Sequence, residues 1–247
     1  MSKNLEMKCV PILKFKDEKL IFPIEFAKVR LCHAQGNGVS GLSKLGIKTL
    51  PERYILPPKD RLDQNKVVLE ESIPIIDVSN WDDPEVAGSI CEAAAKWGFF
   101  QIINHGIPLE VLENVKEAGH KFFQLPNEER RKYWKENSPT PTVQLKTSFS
   151  PLAEKVLEWK DYLMHFYAPD DEGPKLWPSV SKDQVLEFMK WATPVIRKLL
   201  EVLLKGLNVK KFDDSKESQL MGSPVVTLIH YPMRPNPELA SGATSTL

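Results

Sequence analysis

Trp97-Gly98-Phe99-Phe100-Gln101-Ile102-Ile103-Asn104-His105-Gly106 decides how the rest of the chain is read. Phe99 to Ile103 is aromatic and β-branched, and Gly98 and Gly106 punctuate it, which is the composition of a short buried strand. Upstream, Val86, Ile90, Cys91, Ala94 and Trp97 share one helical face, and Asn80 to Pro84 offer cap residues and a proline suited to a first helical turn. Downstream, Val111, Leu112, Val115, Phe122 and Phe123 recur at helical spacing after Ile107-Pro108, until Leu125-Pro126 ends the run. The stretch is therefore predicted to be a strand between two helices, closed by a turn at Asn104-His105-Gly106. His105 is its one chemically able side chain, and a lone histidine names no reaction.

Lysine plus arginine and aspartate plus glutamate each number 33 in the 247 residues, so no net field draws the chain to nucleic acid or to an acidic membrane surface. Cys9, Cys32 and Cys91 form no Cys-x-x-Cys pair and are too few for a disulfide framework, as suits a reducing compartment. Lys3, Glu6, Lys8, Lys14, Lys16 and Asp17 interrupt the N-terminus, so it lacks the apolar core of a signal peptide. No apolar run approaches the roughly 20 residues of a membrane span. A cytoplasmic protein with no nucleic-acid or membrane partner is expected.

Residues 1–35 show short apolar runs without a sustained period and read as an ill-defined arm. Gly36-Asn37-Gly38-Val39-Ser40-Gly41 matches G-x-G-x-x-G after a plausible strand at Ala27 to Leu31, but Gly46 and Pro51 cut short the helix a dinucleotide site needs. A short helix from Val39 to Leu45 explains the glycines better. Pro51, Pro57, Pro58 and the charges from Lys59 to Asp63 suggest an extended linker, and Ile73 to Val78 an edge strand. His120, one turn after Glu117, reads as a solvated helix pair rather than a metal site.

Ser138 to Ser150 is polar and proline-containing and is expected to form a long surface loop or lid. Glu158 to Tyr167 reads as a strand with Trp159, Asp161, Leu163, His165 and Tyr167 on one face. Asp161 and His165 would stand roughly 13 Å apart there, too far to share an ion. Val185, Phe188, Met189, Ala192, Ile196, Leu199, Leu200, Leu203 and Leu207 mark a long amphipathic helix over 183–207, with a kink expected near Pro194. Lys210 to Glu217 looks like a charged connection, and Val225 to Tyr231 is the strongest strand signal.

Taken together, Ile73-Pro74-Ile75-Ile76-Asp77, the stretch from Trp97 to Pro108 and Phe122-Phe123-Gln124-Leu125-Pro126 resemble the N-terminal half of plant iron(II)/2-oxoglutarate-dependent dioxygenases. Tyr231-Pro232-Met233-Arg234-Pro235-Asn236-Pro237-Glu238-Leu239 is similar to that family's Asn-Tyr-Tyr-Pro-x-Cys-Pro-x-Pro-Glu-Leu signature, so the resemblance covers about residues 36–239. Within the family, Gly36 to Leu42, Thr147 to Lys155 with Leu157 to Leu163, and Leu203 to Lys210 look most like the coumarin-forming branch, whose members hydroxylate feruloyl-CoA or scopoletin.

The resemblance implies an α+β fold, a helical N-terminal region on a double-stranded β-helix (jelly-roll) core that is incomplete in this chain. Its expected divisions are the arm at 1–35, the dioxygenase N-terminal region at 36–180, and a long helix with the first jelly-roll strands at 181–247. It also implies iron(II), 2-oxoglutarate and ascorbate as cofactors and a phenolic or CoA-thioester substrate. The family's iron rests on a His-x-Asp pair and a distant histidine, with an Arg-x-Ser for the co-substrate carboxylate. The histidines at 33, 105, 120, 165 and 230 form no His-x-Asp, and after Leu239 the chain runs through Ala240 to Thr244 into Ser245-Thr246-Leu247, as if the ligand-bearing segment were lost.

No catalytic residue and no metal ligand is therefore expected, and the chain as written is expected to be inactive. Tyr231 matches the tyrosine that contacts 2-oxoglutarate in the family, although Ile229 stands at the asparagine position and Arg234 at the cysteine. Strands such as Val225 to Tyr231 should then present an open edge, which favours low solubility, partial disorder or pairing with another chain. A non-catalytic module that pairs with a full-length relative is the alternative function.

Overall fold

The computed structural model describes residues 38–61, 72–148, 154–167, 172–209 and 212–240. The arm at 1–35, the strand expected at Ala27 to Leu31 and the terminal Ser245-Thr246-Leu247 lie outside the described residues.

The stretch from Trp97 to Gly106 folds by local rules. Helix α2 (Pro84–Trp97; α1 lies nearer the N-terminus) starts where the Asp83 carboxylate accepts from the Glu85 N–H at 2.9 Å, with Pro84 in the first turn. It stops at Gly98, whose φ of 74° lets its N–H close back onto the Ala94 carbonyl. Strand β2 (Gln101–Ile103) then pairs in parallel with β1 (Ile75–Asp77), placing Ile102 beside Ile76. Asn104 takes a φ of 57° and donates its amide to Asp77 at 2.7 Å, and helix α3 (Leu109–Gln124) follows.

β2 is buried on one face, not on both as expected. Phe100 and Ile102 pack with Ile76, Val78 and Ile90, whereas Phe99 and Ile103 stand 56% and 47% exposed. A two-stranded sheet with helices on one side closes one face of each strand and leaves the other open.

Upstream, α1 (Gly38–Lys44) is the short helix expected after the glycines. Its Val39 and Leu42 pack with Tyr54, Leu157 and Trp159, and the Tyr54 and Trp159 rings meet edge to face at 5.0 Å.

The segment expected as a loop from Ser138 to Ser150 contains a strand, β3 (Val143–Thr147). Val143, Leu145 and Thr147 are buried and alternate with Gln144 and Lys146, a period of two hidden among prolines and hydroxyl residues. β3 pairs antiparallel with β4 (Asp161–Phe166), and β4 with β5 (Val225–His230), so the order is β3-β4-β5.

After α3, a single short helix α4 (Asn127–Arg131) leads towards β3. Helix α5 (Lys182–Gly206) carries Pro194 inside it, and its Val185 and Met189 share a core with Val115, Phe122, Leu145, Leu163 and Trp177. That core runs without a break across residues 180 and 181. The charged connection expected at Lys210 to Glu217 is partly helical: α6 (Asp214–Met221) is capped by Asp213, which accepts from the Lys216 N–H, and is tied to α5 by the Arg197–Glu217 ion pair at 3.0 Å. Acidic residues in its first turn favour a helix electrostatically, but α6 buries no residue and so has no apolar period to betray it.

The architecture is thus mixed helix and sheet. Among the described residues the strands form one parallel pair and one three-stranded antiparallel sheet, and a closed double-stranded β-helix is not among them.

Candidate functional site

The three-stranded sheet gathers most of the chemically able side chains. Its covered face carries Thr147, Asp161, Leu163, His165, Val226, Leu228 and His230, against which α1, α3 and α5 are laid. Leu228 meets α3 at Gly119, where a Cβ would sit 3.6 Å from the leucine side chain, and the His230 ring stacks on Phe123 at 4.9 Å.

Asp161 is the polar centre of this face. Its carboxylate accepts from the Val39 N–H at 2.9 Å, the Ser40 N–H at 2.8 Å and the Ser40 hydroxyl at 2.5 Å, and also from the Thr147 hydroxyl. Gly38, at a φ of 59°, lies so close that a Cβ there would stand 2.5 Å from the carboxylate. A carboxylate that is 1% exposed needs such donors, and the first turn of α1 supplies them. The glycines of the G-x-G-x-x-G match thus receive a side chain of the chain itself. That role went unseen in the sequence, although an acid on the inward face of a strand signals a partner that has to be found.

His165 is fully buried near the C-terminal end of β4. Its Nε2 lies 3.2 Å from the Ser181 hydroxyl at the start of α5, and its ring meets Trp177 edge to face at 4.8 Å. Burial pushes its pKa down to about 4, partly offset by the nearby Val226 backbone. His230 is also pushed below its ordinary value, first by burial. Tyr162 is pushed up to about 12 by burial and then by Glu158 and Glu154, and its hydroxyl donates to the Ser148 carbonyl at 2.7 Å.

These groups do not compose an iron site. Asp161 and His230 are cross-strand partners, but the carboxylate is filled by α1 and Thr147, and His165 is turned to Ser181. His105 is engaged locally, its Nδ1 accepting from the Ile107 N–H, and Glu117 beside His120 pairs with Lys121. Among the described residues no three His, Cys, Asp or Glu side chains are grouped to hold a metal ion. The donor set present therefore does not fit a 2-His-1-carboxylate centre.

Tyr231 lies just past the end of β5, 53% exposed, on the uncovered side of the sheet with Val225 and Ile229. Arg234 is three residues further on, past Pro232 and Met233, and nothing in the described contacts draws it to Tyr231. A separate groove of about 500 Å³ lies between β1 and α2 and is lined by Ile75, Asp77, Asp83, Glu85, Glu92 and Lys96 among others. Two of its acids are committed locally: Asp83 caps α2, and Asp77, held below the usual carboxylate range by hydrogen bonds from Ser79 and Asn104, closes the β1 turn. No described helix is long and apolar enough to cross a membrane.

Residues 73–180 match the family profile described as non-haem dioxygenase in morphine synthesis, N-terminal. A bi-functional coumaroyl CoA and feruloyl CoA ortho-hydroxylase of Ipomoea batatas is 55% identical over 208 residues, which is 84% of this chain and 58% of the relative. Feruloyl CoA ortho-hydroxylase 1 of Arabidopsis thaliana is 55% identical over 210 residues, with the same coverage. Among solved structures, that of JOX2 in complex with 2OG, Fe and JA superposes with a TM-score of 0.68 at 28% identity, covering 84% of this chain and 60% of that one. The chain thus spans somewhat under two thirds of the length of the relatives it matches. It belongs to the plant iron(II)/2-oxoglutarate-dependent dioxygenase family and carries, at residues 73–180, that family's N-terminal region.

Proposed function

We propose that this chain is the N-terminal portion of a hydroxylase that uses iron(II), 2-oxoglutarate and ascorbate to hydroxylate phenylpropanoid CoA thioesters such as feruloyl-CoA, a step towards coumarins, in the cytoplasm. The observation that carries this reading is the 55% identity to two ortho-hydroxylases over 84% of the chain. The 247-residue polypeptide by itself holds no iron in this reading, because its buried carboxylate and imidazole are already committed to α1, Thr147 and Ser181. Tyr231 is the one residue assigned to 2-oxoglutarate, on its place in the Tyr-Pro-x-x-Pro-x-Pro-Glu-Leu run.

Two experiments test the two halves of the proposal. In anaerobic titration of this polypeptide with iron(II) and 2-oxoglutarate, no visible charge-transfer band and, on admitting oxygen, no succinate are expected; either signal overturns the iron-free assignment. Substituting residues 38–239 for the matching segment of the Arabidopsis enzyme should leave a chimera that hydroxylates feruloyl-CoA. A folded, iron-loaded chimera without that activity would overturn the substrate assignment. A second reading, a non-catalytic module that pairs with a full-length relative, is favoured by the exposure of Val225 and Ile229 at the open side of β5. Stable co-purification with such a relative is its test.

A further inference from the structure

The outer side of β3 is met by a short segment that follows α4. The Trp134 and Leu145 backbones bridge in parallel, with the Lys135 N–H donating to the Leu145 carbonyl at 3.3 Å and the Leu145 N–H to the Tyr133 carbonyl at 2.6 Å. Trp134 packs against the same core as Leu145, so the next residue of each segment, Lys135 and Lys146, stands on the opposite side of the sheet. In the sheet register Lys146 is the cross-strand partner of Tyr162, and Tyr162 that of Ile229. Two cations thus end a row that begins at β5, on the side where Tyr231 lies.

These two ammonium groups lie close together without an acid to balance them. Burial first, and then the charge of Lys135, holds the pKa of Lys146 below its ordinary value. Among the described residues no carboxylate pairs with either lysine, whereas Lys160 has Glu158 at 2.7 Å and Lys132 has Glu129 at 2.6 Å. A like-charged pair of this kind is relieved by an anion. Tyr162 is closed to a ligand: it is 5% exposed, its hydroxyl is given to the Ser148 carbonyl, and Lys160 lies over its ring at 5.9 Å. The neighbouring row is accessible, with Gln144 and Met164 half-buried and Thr227 exposed.

We infer that Lys135 and Lys146 form a subsite for the diphosphate of a coenzyme A thioester, whose pantetheine arm runs over Thr227, Met164 and Gln144 from an acyl group near Tyr231. The inference rests on the hydroxylase reading proposed above and on the place of Tyr231 in it. Three strand spacings, about 15 Å, separate β5 from the Lys135 segment. The pantetheine arm bridges such a span and is uncharged, as are the three side chains beneath it. The diphosphate at its far end calls for cations, and lysine ammonium groups bind phosphate as point charges. Free phosphate carries the same chemistry without the arm and should bind far more weakly.

The test is calorimetric titration of the full chain with coenzyme A and, separately, with inorganic phosphate. Coenzyme A should bind, and Lys135→Ala and Lys146→Ala should each weaken it by about tenfold. Lys132→Ala, which removes a lysine already paired with Glu129, should leave the affinity unchanged. Both subsite lysines stand away from the core, so an unchanged circular dichroism spectrum checks that the variants fold. In the chimera carrying residues 38–239, the same two substitutions should raise KM for feruloyl-CoA by about tenfold and lower kcat by less. Absence of coenzyme A binding, affinity indifferent to both substitutions, an equal loss with Lys132→Ala, equal affinity for inorganic phosphate, or an unchanged KM would each overturn the subsite. Failure is distinct from that of the hydroxylase reading: an active chimera with an unchanged KM removes the subsite alone, and an inactive chimera with lysine-dependent coenzyme A binding removes the hydroxylase reading alone.

Discussion

On the α3 side of the three-stranded sheet, Leu145, Leu163 and His165 are closed off from water, while on the opposite side Ile229 and Val225 of β5 stand nearly half exposed. One backbone thus carries two surfaces with different histories of contact. The covered surface is complete within the chain: α1, α3 and α5 lie on it, Asp161 finds all its donors and His165 finds Ser181. On the other surface Val225, Thr227 and Ile229 of β5 stand exposed, whereas Tyr162, the cross-strand partner of Ile229, is buried. The first specifies how this chain folds, and the second specifies what else the sheet is built to meet.

That contrast can be broken by substitution. Leu163→Ala on the covered face empties a fully buried site and should cost about 4 kcal/mol in urea unfolding. If the loss were below about 1 kcal/mol, the covered face would not be a packed core. Asp161→Ala leaves the Val39 and Ser40 N–H groups without their acceptor and should cost about 3 kcal/mol, with α1 losing amide protection before the sheet does.

His165 gives the contrast a pH dependence. The folded protein keeps the ring neutral down to about 4, whereas the unfolded chain protonates near the ordinary 6.5. The unfolded state therefore takes up the proton first. The stability due to the neutral ring is fully present above about pH 6.5 and falls as the pH is lowered towards 4, by about 3 kcal/mol in all. Denaturant midpoints measured across that window should decline, and His165→Gln should flatten the decline; an unchanged slope in the variant would place its origin elsewhere. On the open face, Ile229→Thr should change stability by less than about 0.5 kcal/mol, and a larger loss in thermal unfolding would mean that this face is already covered in solution.

Much of this was legible in the residues. The helix into Trp97, the turn at Gly98, the α3 pattern from Val111 to Phe123 and the β5 run announce themselves through apolar spacing and punctuation, signals that local physics obeys. Three features were not. β3 hides its alternation among Pro139, Pro141 and Thr147, because its burial depends on pairing with β4 rather than on composition. α6 buries nothing and so leaves no periodic trace. The exposure of Phe99 and Ile103 contradicts a reading from hydrophobicity alone, since apolar residues report that a surface is to be covered and not which segment covers it.

Of the candidate site, Asp161 and His165 could be placed on one face of a strand from the sequence, and the structure buries both there. The commitment of Asp161 to Gly38, Val39 and Ser40 could not, because it joins residues that no local pattern relates.

That long-range clasp has a consequence in time. Ser40 and Asp161 are separated by 121 residues, so during synthesis the first turn of α1 emerges well before the carboxylate that accepts from it. At ordinary translation speeds the wait is on the order of ten seconds. Throughout it, α1 has neither its cap nor Leu157 and Trp159 to lie against. A nascent chain halted before residue 161 should therefore leave this segment open to proteases and chaperones, and release past that point should close it in a single step.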